Sequence, residues 1–229
     1  MCGRFTLTID PNTLEEMLED TFEDLVYTQP LPKAAYNIAP SENLSVIIYD
    51  NANQTYRFGY LKWGFEPEFS KTKKAYQIIN ARLESIDQKP FFKEAFTKRR
   101  CLILADGFYE WQKTPQGKQP MYVKSKKHKL MAFAGIYTLS KKTQSSGAII
   151  TAEATAHFER IHDRMPLMIG REDFKTWLLC ETDKDLKDWA KHRRIETIDY
   201  YPVSKAVNNP KNKESTLIEP IDEKNRPLL

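Results

Sequence analysis

Between residues 44 and 151 short apolar or alternating segments follow one another with little helix between them. That succession dictates a sheet built mainly from antiparallel neighbours. Leu44 to Tyr49 is a compact apolar run, and Tyr56 to Trp63 alternates and is rich in aromatics. Cys101 to Trp111 begins as a buried strand and then alternates; Tyr122 to Lys124, Leu130 to Thr138 and Ala148 to Thr151 follow in the same style. Lys113 to Gln119 reads as a hairpin turn. Helices are expected at the margins. Asp10 is a good N-cap with Pro11 at the first helical position, and Leu14, Met17, Leu18 and Phe22 recur at helical spacing. Further helical pieces are expected at Pro90 to Thr97, at Asp173 to Leu179 with Phe174 and Trp177 inward, and at Asp185 to His192. The expected class is α+β: a largely antiparallel, curled or barrel-like sheet flanked by helices.

A length of 229 residues fits a domain with a proper core. We read residues 1–229 as one domain with a peripheral tail from about 208, where NNPKNKESTLIEPIDEKNRPLL is polar and proline-punctuated. No apolar run approaches the roughly 20 residues that span a bilayer, and MCGRFTLTID lacks the basic and apolar regions of a secretory signal. The expected location is cytoplasmic. Cys2, Cys101 and Cys180 are too few and too scattered for a disulfide framework or a metal site, so no metal or other cofactor is expected. Thirty-five basic against 31 acidic residues leave a net charge of +4, too mild to argue for nucleic acid. The basic residues gather at Lys71 to Lys74, Lys98 to Arg100, Lys124 to Lys129 and Lys191 to Arg194, runs that most often form a solvated face. Neither G-x-G-x-x-G nor a P-loop is present, which argues against dinucleotide and nucleoside-triphosphate chemistry.

Four segments hold the reactive side chains. Cys2 becomes an N-terminal residue once Met1 is removed, which aminopeptidases do when residue 2 is small. It would then carry an α-amine, pKa about 7.7–8.0, beside a thiol, pKa about 8.5, both with usable nucleophilic fractions near neutral pH. Such a 1,2-aminothiol condenses with an aldehyde through the amine and closes a thiazolidine ring through the sulfur. Gly3 permits close backbone approach, and Arg4 offers a fork for phosphate or carboxylate. In IINARLES, Asn80 can donate and accept through its amide, and Arg82 can grip a phosphate. In ADGFYEW, Asp106-Gly107 reads as a bend. Beyond it Phe108 and Glu110 share one face and Tyr109 and Trp111 the other, so Glu110 is a candidate acid or base. In IHDRMP, His162 is the natural proton shuttle, flanked by Asp163 and Arg164. Trp63, Phe65, Tyr76, Tyr109 and Trp111 suffice for base stacking but serve equally well in a core.

Taken together, MCGRF, YNIAP, WGF, INARLE, CLILADGFYEW, ITAEA and IHDRMP resemble the SOS-response-associated peptidase (SRAP) family of abasic-site processing proteins. The likeness runs in order from residue 2 to about 169, and more softly through YPVSKAVNN. It implies that Cys2 crosslinks to the ring-opened aldehyde of an abasic site in single-stranded DNA. Asn80 would position the amine or the sugar oxygen, Glu110 would serve as general acid and base, and His162 would assist ring opening and reversal. Arg4 and Arg82 would hold phosphates, with Pro40 and Trp63 along the DNA path and Trp111 and Arg164 in the same contact set. The family's peptidase name implies removal of Met1 by self-processing, and an imine left without thiol capture implies a lyase side activity; a monomer is expected because no isolated apolar helix or heptad seam asks for a partner, with association at the nucleoid when DNA is bound. Two rival classes are an N-terminal-nucleophile amidase, since glutamine amidotransferases also begin Met-Cys-Gly, and a non-catalytic module for single-stranded DNA.

Overall fold

The computed structural model describes residues 2–66, 78–140, 144–180, 183–195 and 197–221. The run Lys71 to Lys74 and Tyr76 lie outside them. In chain order the strands are β1 (Phe5–Leu7), β2 (Leu25–Tyr27), β3 (Ala35–Ile38), β4 (Asn43–Asp50), β5 (Thr55–Trp63), β6 (Asn80–Arg82) and β7 (Arg100–Ala105). They continue with β8 (Gly107–Thr114), β9 (Gly117–Ser125), β10 (Met131–Thr138), β11 (Ser146–Glu153), β12 (Arg164–Pro166), β13 (Met168–Gly170) and β14 (Ile198–Pro202). The helices are α1 (Pro11–Glu19), α2 (Pro90–Lys98), α3 (Phe174–Leu179) and α4 (Asp183–Arg193).

The chain is α+β with curled, mostly antiparallel sheets. One sheet runs β14-β9-β8-β1-β3. In the other, β11, β10, β7, β4 and β5 follow one another, and a short parallel pairing of β5 with β11 joins the two ends into a ring. Apolar residues fill the ring: β7 and β10 are buried along their whole length, which is why they read as continuous apolar runs.

The expected strand Cys101 to Trp111 is two strands. β7 belongs to the ring and β8 to the other sheet, and the chain changes sheets at Asp106-Gly107. Asp106 makes that hop rigid. Its carboxylate accepts from the Thr6 hydroxyl at 2.5 Å, from the Thr8 hydroxyl at 2.7 Å and from the Thr8 amide. Past the hop the alternation holds: Phe108 packs on Phe133 and Phe158, and Tyr109 on Tyr122.

α1 begins as expected, with the Asp10 side chain accepting from Thr13 N at 3.0 Å and Leu14 and Leu18 buried. Phe174 and Trp177 of α3 are buried as well. Residues 208–221 are mostly exposed, yet the segment is tied down. Val207 and Leu217 are buried, Val203 bridges to Pro220, and the Ile221 amide donates to the Pro202 carbonyl. A pair of aliphatic anchors among polar neighbours suffices to dock it, and composition alone does not register them.

Gly107 lies where the Tyr122 ring crosses the backbone, and a Cβ there would collide with the ring and its hydroxyl. Gly107→Ala is therefore expected to cost about 1–3 kcal/mol through overpacking. Chemical denaturation at constant m-value measures it.

Candidate functional site

β1 is only three residues long, yet it lies inside its sheet, between β3 and β8. Phe5 pairs with Ile38 on one side and Phe108 on the other, and the Tyr109 amide donates to the Arg4 carbonyl at 3.0 Å. Phe5 also plugs the ring, edge-on to Trp63 at 5.2 Å and to Phe133 at 5.5 Å. Strand pairing and the aromatic plug together fix Cys2, three residues upstream.

Cys2 is fully buried. Its carbonyl accepts from Asn80 Nδ2 at 2.9 Å, and its thiol points to the Arg4 carbonyl at 3.9 Å. Asn80 opens β6, which pairs in parallel with β11 opposite Ile149. The segment IINAR is thus a short strand rather than a surface loop. Asn80 Oδ1 is buried and has no hydrogen-bond partner among the described residues, leaving an acceptor for an amine or hydroxyl. Burial first, and then the charge of Glu110, push the Cys2 thiol far up from its ordinary value. The sequence suggests a usable thiolate fraction near neutral pH; in this surrounding the thiol keeps its proton more firmly. Cys2, Asn80 and Glu110 therefore form one constellation, assembled from both sheets.

Glu110 is itself buried, and its Oε1 accepts from the Trp111 amide at 3.2 Å. Phe108 and Gln112, on the same face of β8, both reach the loop that carries His162. Phe108 packs on Phe158, and Gln112 donates to the Arg160 carbonyl at 3.0 Å. His162 Nδ1 stands 2.6 Å from Asp163 Oδ1 and 3.0 Å from the Arg164 amide. Whichever of the two it serves sets the role of Nε2. Accepting from the amide leaves the proton on Nε2; donating to Asp163 leaves Nε2 a base.

The remaining residues occupy varied places. Arg4 donates to Asn37 Oδ1 at 2.9 Å, to the Val207 carbonyl at 2.6 Å and to the Asn208 carbonyl at 3.1 Å. Trp111 donates from its indole to Asn208 Oδ1 at 2.8 Å and remains partly exposed. Arg164 is forked onto Glu84 at 2.8 and 2.9 Å; burial raises the Glu84 carboxyl, but Arg164 brings it net below its usual range. Arg82 is exposed and lines a pocket of about 570 Å³ with Arg164 and Asp163. Pro40 is half-buried in a turn whose next residue, Ser41, has φ +75°. Trp63 is fully buried, and its indole donates to the Ile79 carbonyl at 3.0 Å, bracing the residue before Asn80. Among the described residues no three His, Cys, Asp or Glu side chains converge to hold a metal.

Sequence reasoning misses Asn37. It is fully buried, takes a hydrogen bond from Arg4 and gives its own to the carbonyls of Asn209 and Asn212 at 3.2 and 2.9 Å. Lys213 then bonds the Asn37 carbonyl at 2.6 Å and Glu42 at 2.6 and 2.9 Å. An asparagine inside the apolar strand AYNI is the available signal, because strands disfavour it unless its amide is used.

A comparison with protein families matches residues 1–210 to the SOS response associated peptidase (SRAP) description. The chain belongs to the SRAP family. It is 38% identical over 231 residues to the abasic site processing protein YoqW of Bacillus subtilis (strain 168), covering 96% of this chain and 99% of that one. It is 30% identical to the abasic site processing protein YedK of Escherichia coli (strain K12), covering 96% and 100%. The SRAP fold here superposes on a crystallised protein of Bacteroides thetaiotaomicron with TM-score 0.78 at 20% identity, covering 96% of this chain and 100% of that one. No helix among the described residues is long and apolar enough to cross a membrane.

Asn37→Leu would strand Arg4 and the tail carbonyls, and an expected loss of about 2–4 kcal/mol follows; urea unfolding reads it. Glu110→Gln is expected to lower the pH at which Cys2 reacts half-maximally with iodoacetamide, since a negative neighbour is removed. An unchanged midpoint would mean that Glu110 does not act on the thiol.

Proposed function

We propose that this chain processes abasic sites in single-stranded DNA by capturing them covalently on Cys2 after Met1 is removed. The observation that carries the reading is the clasp of Asn80 on the Cys2 carbonyl at a thiol held neutral beside Glu110. The names of the SRAP relatives support the substrate. The freed α-amine attacks the C1′ aldehyde of the ring-opened sugar, and the carbinolamine loses water to give an imine. The thiol sulfur then adds to the imine carbon, and its proton passes to the nitrogen. The sum is aldehyde plus aminothiol giving thiazolidine plus one water.

A neutral thiol suits this order. The amine acts first, and Glu110 takes the S–H proton only when the imine is in place to receive the sulfur. Asn80 holds the residue 2 backbone and offers Oδ1 to the amine or to a sugar hydroxyl. His162 moves protons at the sugar oxygen during opening and reversal. If the sulfur is withheld, the imine can eliminate the 3′ phosphate, which is the lyase side reaction. The peptidase name of the family fits removal of Met1 by the same groups; a host aminopeptidase would serve equally. Arg82 and Trp111 are the DNA contacts this reading favours, being exposed or partly so. We take the protein to act as a monomer, at the nucleoid when DNA is bound.

The test is a denaturing gel of protein with a uracil-containing single strand, before and after uracil-DNA glycosylase. Wild type should give a heat-stable slow band only with the abasic strand. Cys2→Ala and a form with Met1 retained should give none, and Glu110→Ala should slow its formation by about 10²-fold. Absence of the band from wild type with verified Met1 removal would overturn the reading.

A further inference from the structure

Two of the basic runs in the sequence meet in space. The turn from β9 into β10 carries Lys124, Lys126, Lys127 and Lys129, all exposed. They line a pocket of about 800 Å³ beside Thr8 and Ile9, at the far end of the segment that begins at Cys2. An adjoining pocket of about 300 Å³ shares Ser125, Lys127 and His128 with the first and adds His192, Arg193 and Arg194. The turn is shaped rather than loose: Ser125 Oγ accepts from the Lys127 amide at 3.2 Å and the His128 amide at 3.1 Å.

The cations here are available. None of the four lysines makes an ion pair among the described residues; Lys124 stands over the Tyr201 ring at 5.7 Å. Three carboxylates line the same pocket, but two are committed. Asp106 is tied to Thr6 and Thr8, and Asp10 caps α1. Asp199 is the third, and its Oδ1 accepts from the Tyr200 amide at 3.1 Å. Arg193 is paired with Asp173, and Arg194 is bound to the Glu153 carbonyl. The four lysines are thus exposed and mobile and outnumber the three carboxylates of the pocket, on stems long enough to reach a ligand beyond the pocket mouth.

We propose that this lysine-rimmed pocket is a second anchoring site for the phosphate backbone of a single-stranded nucleic acid, separate from the Cys2 constellation. Thr8 is six residues from Cys2 along near-extended chain, at most ~20 Å away. A strand captured at Cys2 can continue to the pocket within a few nucleotides. The site favours phosphate over carboxylate ligands because it presents several flexible point charges and no planar arginine fork free for bidentate pairing. Its role is to lengthen the footprint and slow dissociation, without touching the reacting atoms. The inference rests on the reading of this chain as one that handles DNA.

The experiment measures binding of undamaged oligonucleotides as a function of salt, for wild type and for K124Q/K126Q/K127Q/K129Q. Lengths of about 5 and about 20 nucleotides bracket the sizes that one small module covers. With about 20 nucleotides, the variant should bind at least tenfold more weakly at low salt. Its slope of log K against log[salt] should be shallower by about 2–3, at ~0.7 for each phosphate of a single strand that the variant no longer neutralises. With about 5 nucleotides the two proteins should agree. On an abasic strand the saturating adduct rate should be equal, with half-saturation raised only for the longer strand. Equal slopes and affinities for the two proteins would overturn the proposal. So would loss of polyglutamate binding with DNA binding intact, which would give the pocket to an acidic polypeptide. A wild type that binds DNA but forms no adduct would sink the covalent reading instead, and a slope difference in that case would still support the anchoring site.

Discussion

The structure depends on how firmly three residues of β1 are held. A reactive residue next to a chain end would ordinarily fray, since a terminus has neighbours on one side only. Here the strand begins almost at once and is inserted between two others, with Phe5 driven into the ring of the second sheet. Asp106 ties Thr6 and Thr8 from one side, and Asn37 ties Arg4 from the other. Each of these bonds is buried or nearly so, which makes breaking it expensive. The order needed for chemistry at residue 2 is imported from residues far along the chain.

The electrostatic character of the site follows from the same arrangement. The Cys2 thiol points to the Arg4 carbonyl, its own carbonyl is held by the Asn80 amide, and the Glu110 carboxylate acts on the thiol. Arg4 is close in sequence, yet its guanidinium is turned to Asn37 and the tail. A neutral thiol in a closed setting resists oxidation and adventitious alkylation better than an exposed thiolate does. On the reading proposed above, its reactivity waits for an electrophile delivered within reach.

Much of the architecture is legible because its signals are local. The α1 cap, the inward Phe174 and Trp177, and the alternation that sets Glu110 opposite Tyr109 are written within a few residues of one another. The hop at Asp106-Gly107 reads only as a bend, because no local feature distinguishes a bulge from a change of sheet. The short strands β2, β3 and β6 leave no signal, since three or four residues are too few for periodicity to appear. The family resemblance sets Trp63 along the DNA path, and its full burial comes from Phe5, Ile79 and a ring closure that sequence spacing does not encode. The docking of the tail likewise hinges on Asn37, whose partners lie some 170 residues away.

The span of those partnerships has a consequence for biosynthesis. Residues that pin β1 come from 35–38, 106–109 and 207–212. At about 5–20 residues per second, the last of them leave the ribosome roughly 10–45 s after the first methionine. Throughout that interval the N-terminal segment lacks the last of the partners that pin it. Once residue 212 arrives, the tail closes on Arg4 and Asn37 and the segment that follows Cys2 is held. The fixing of the N-terminal segment is thereby scheduled by the length of the chain.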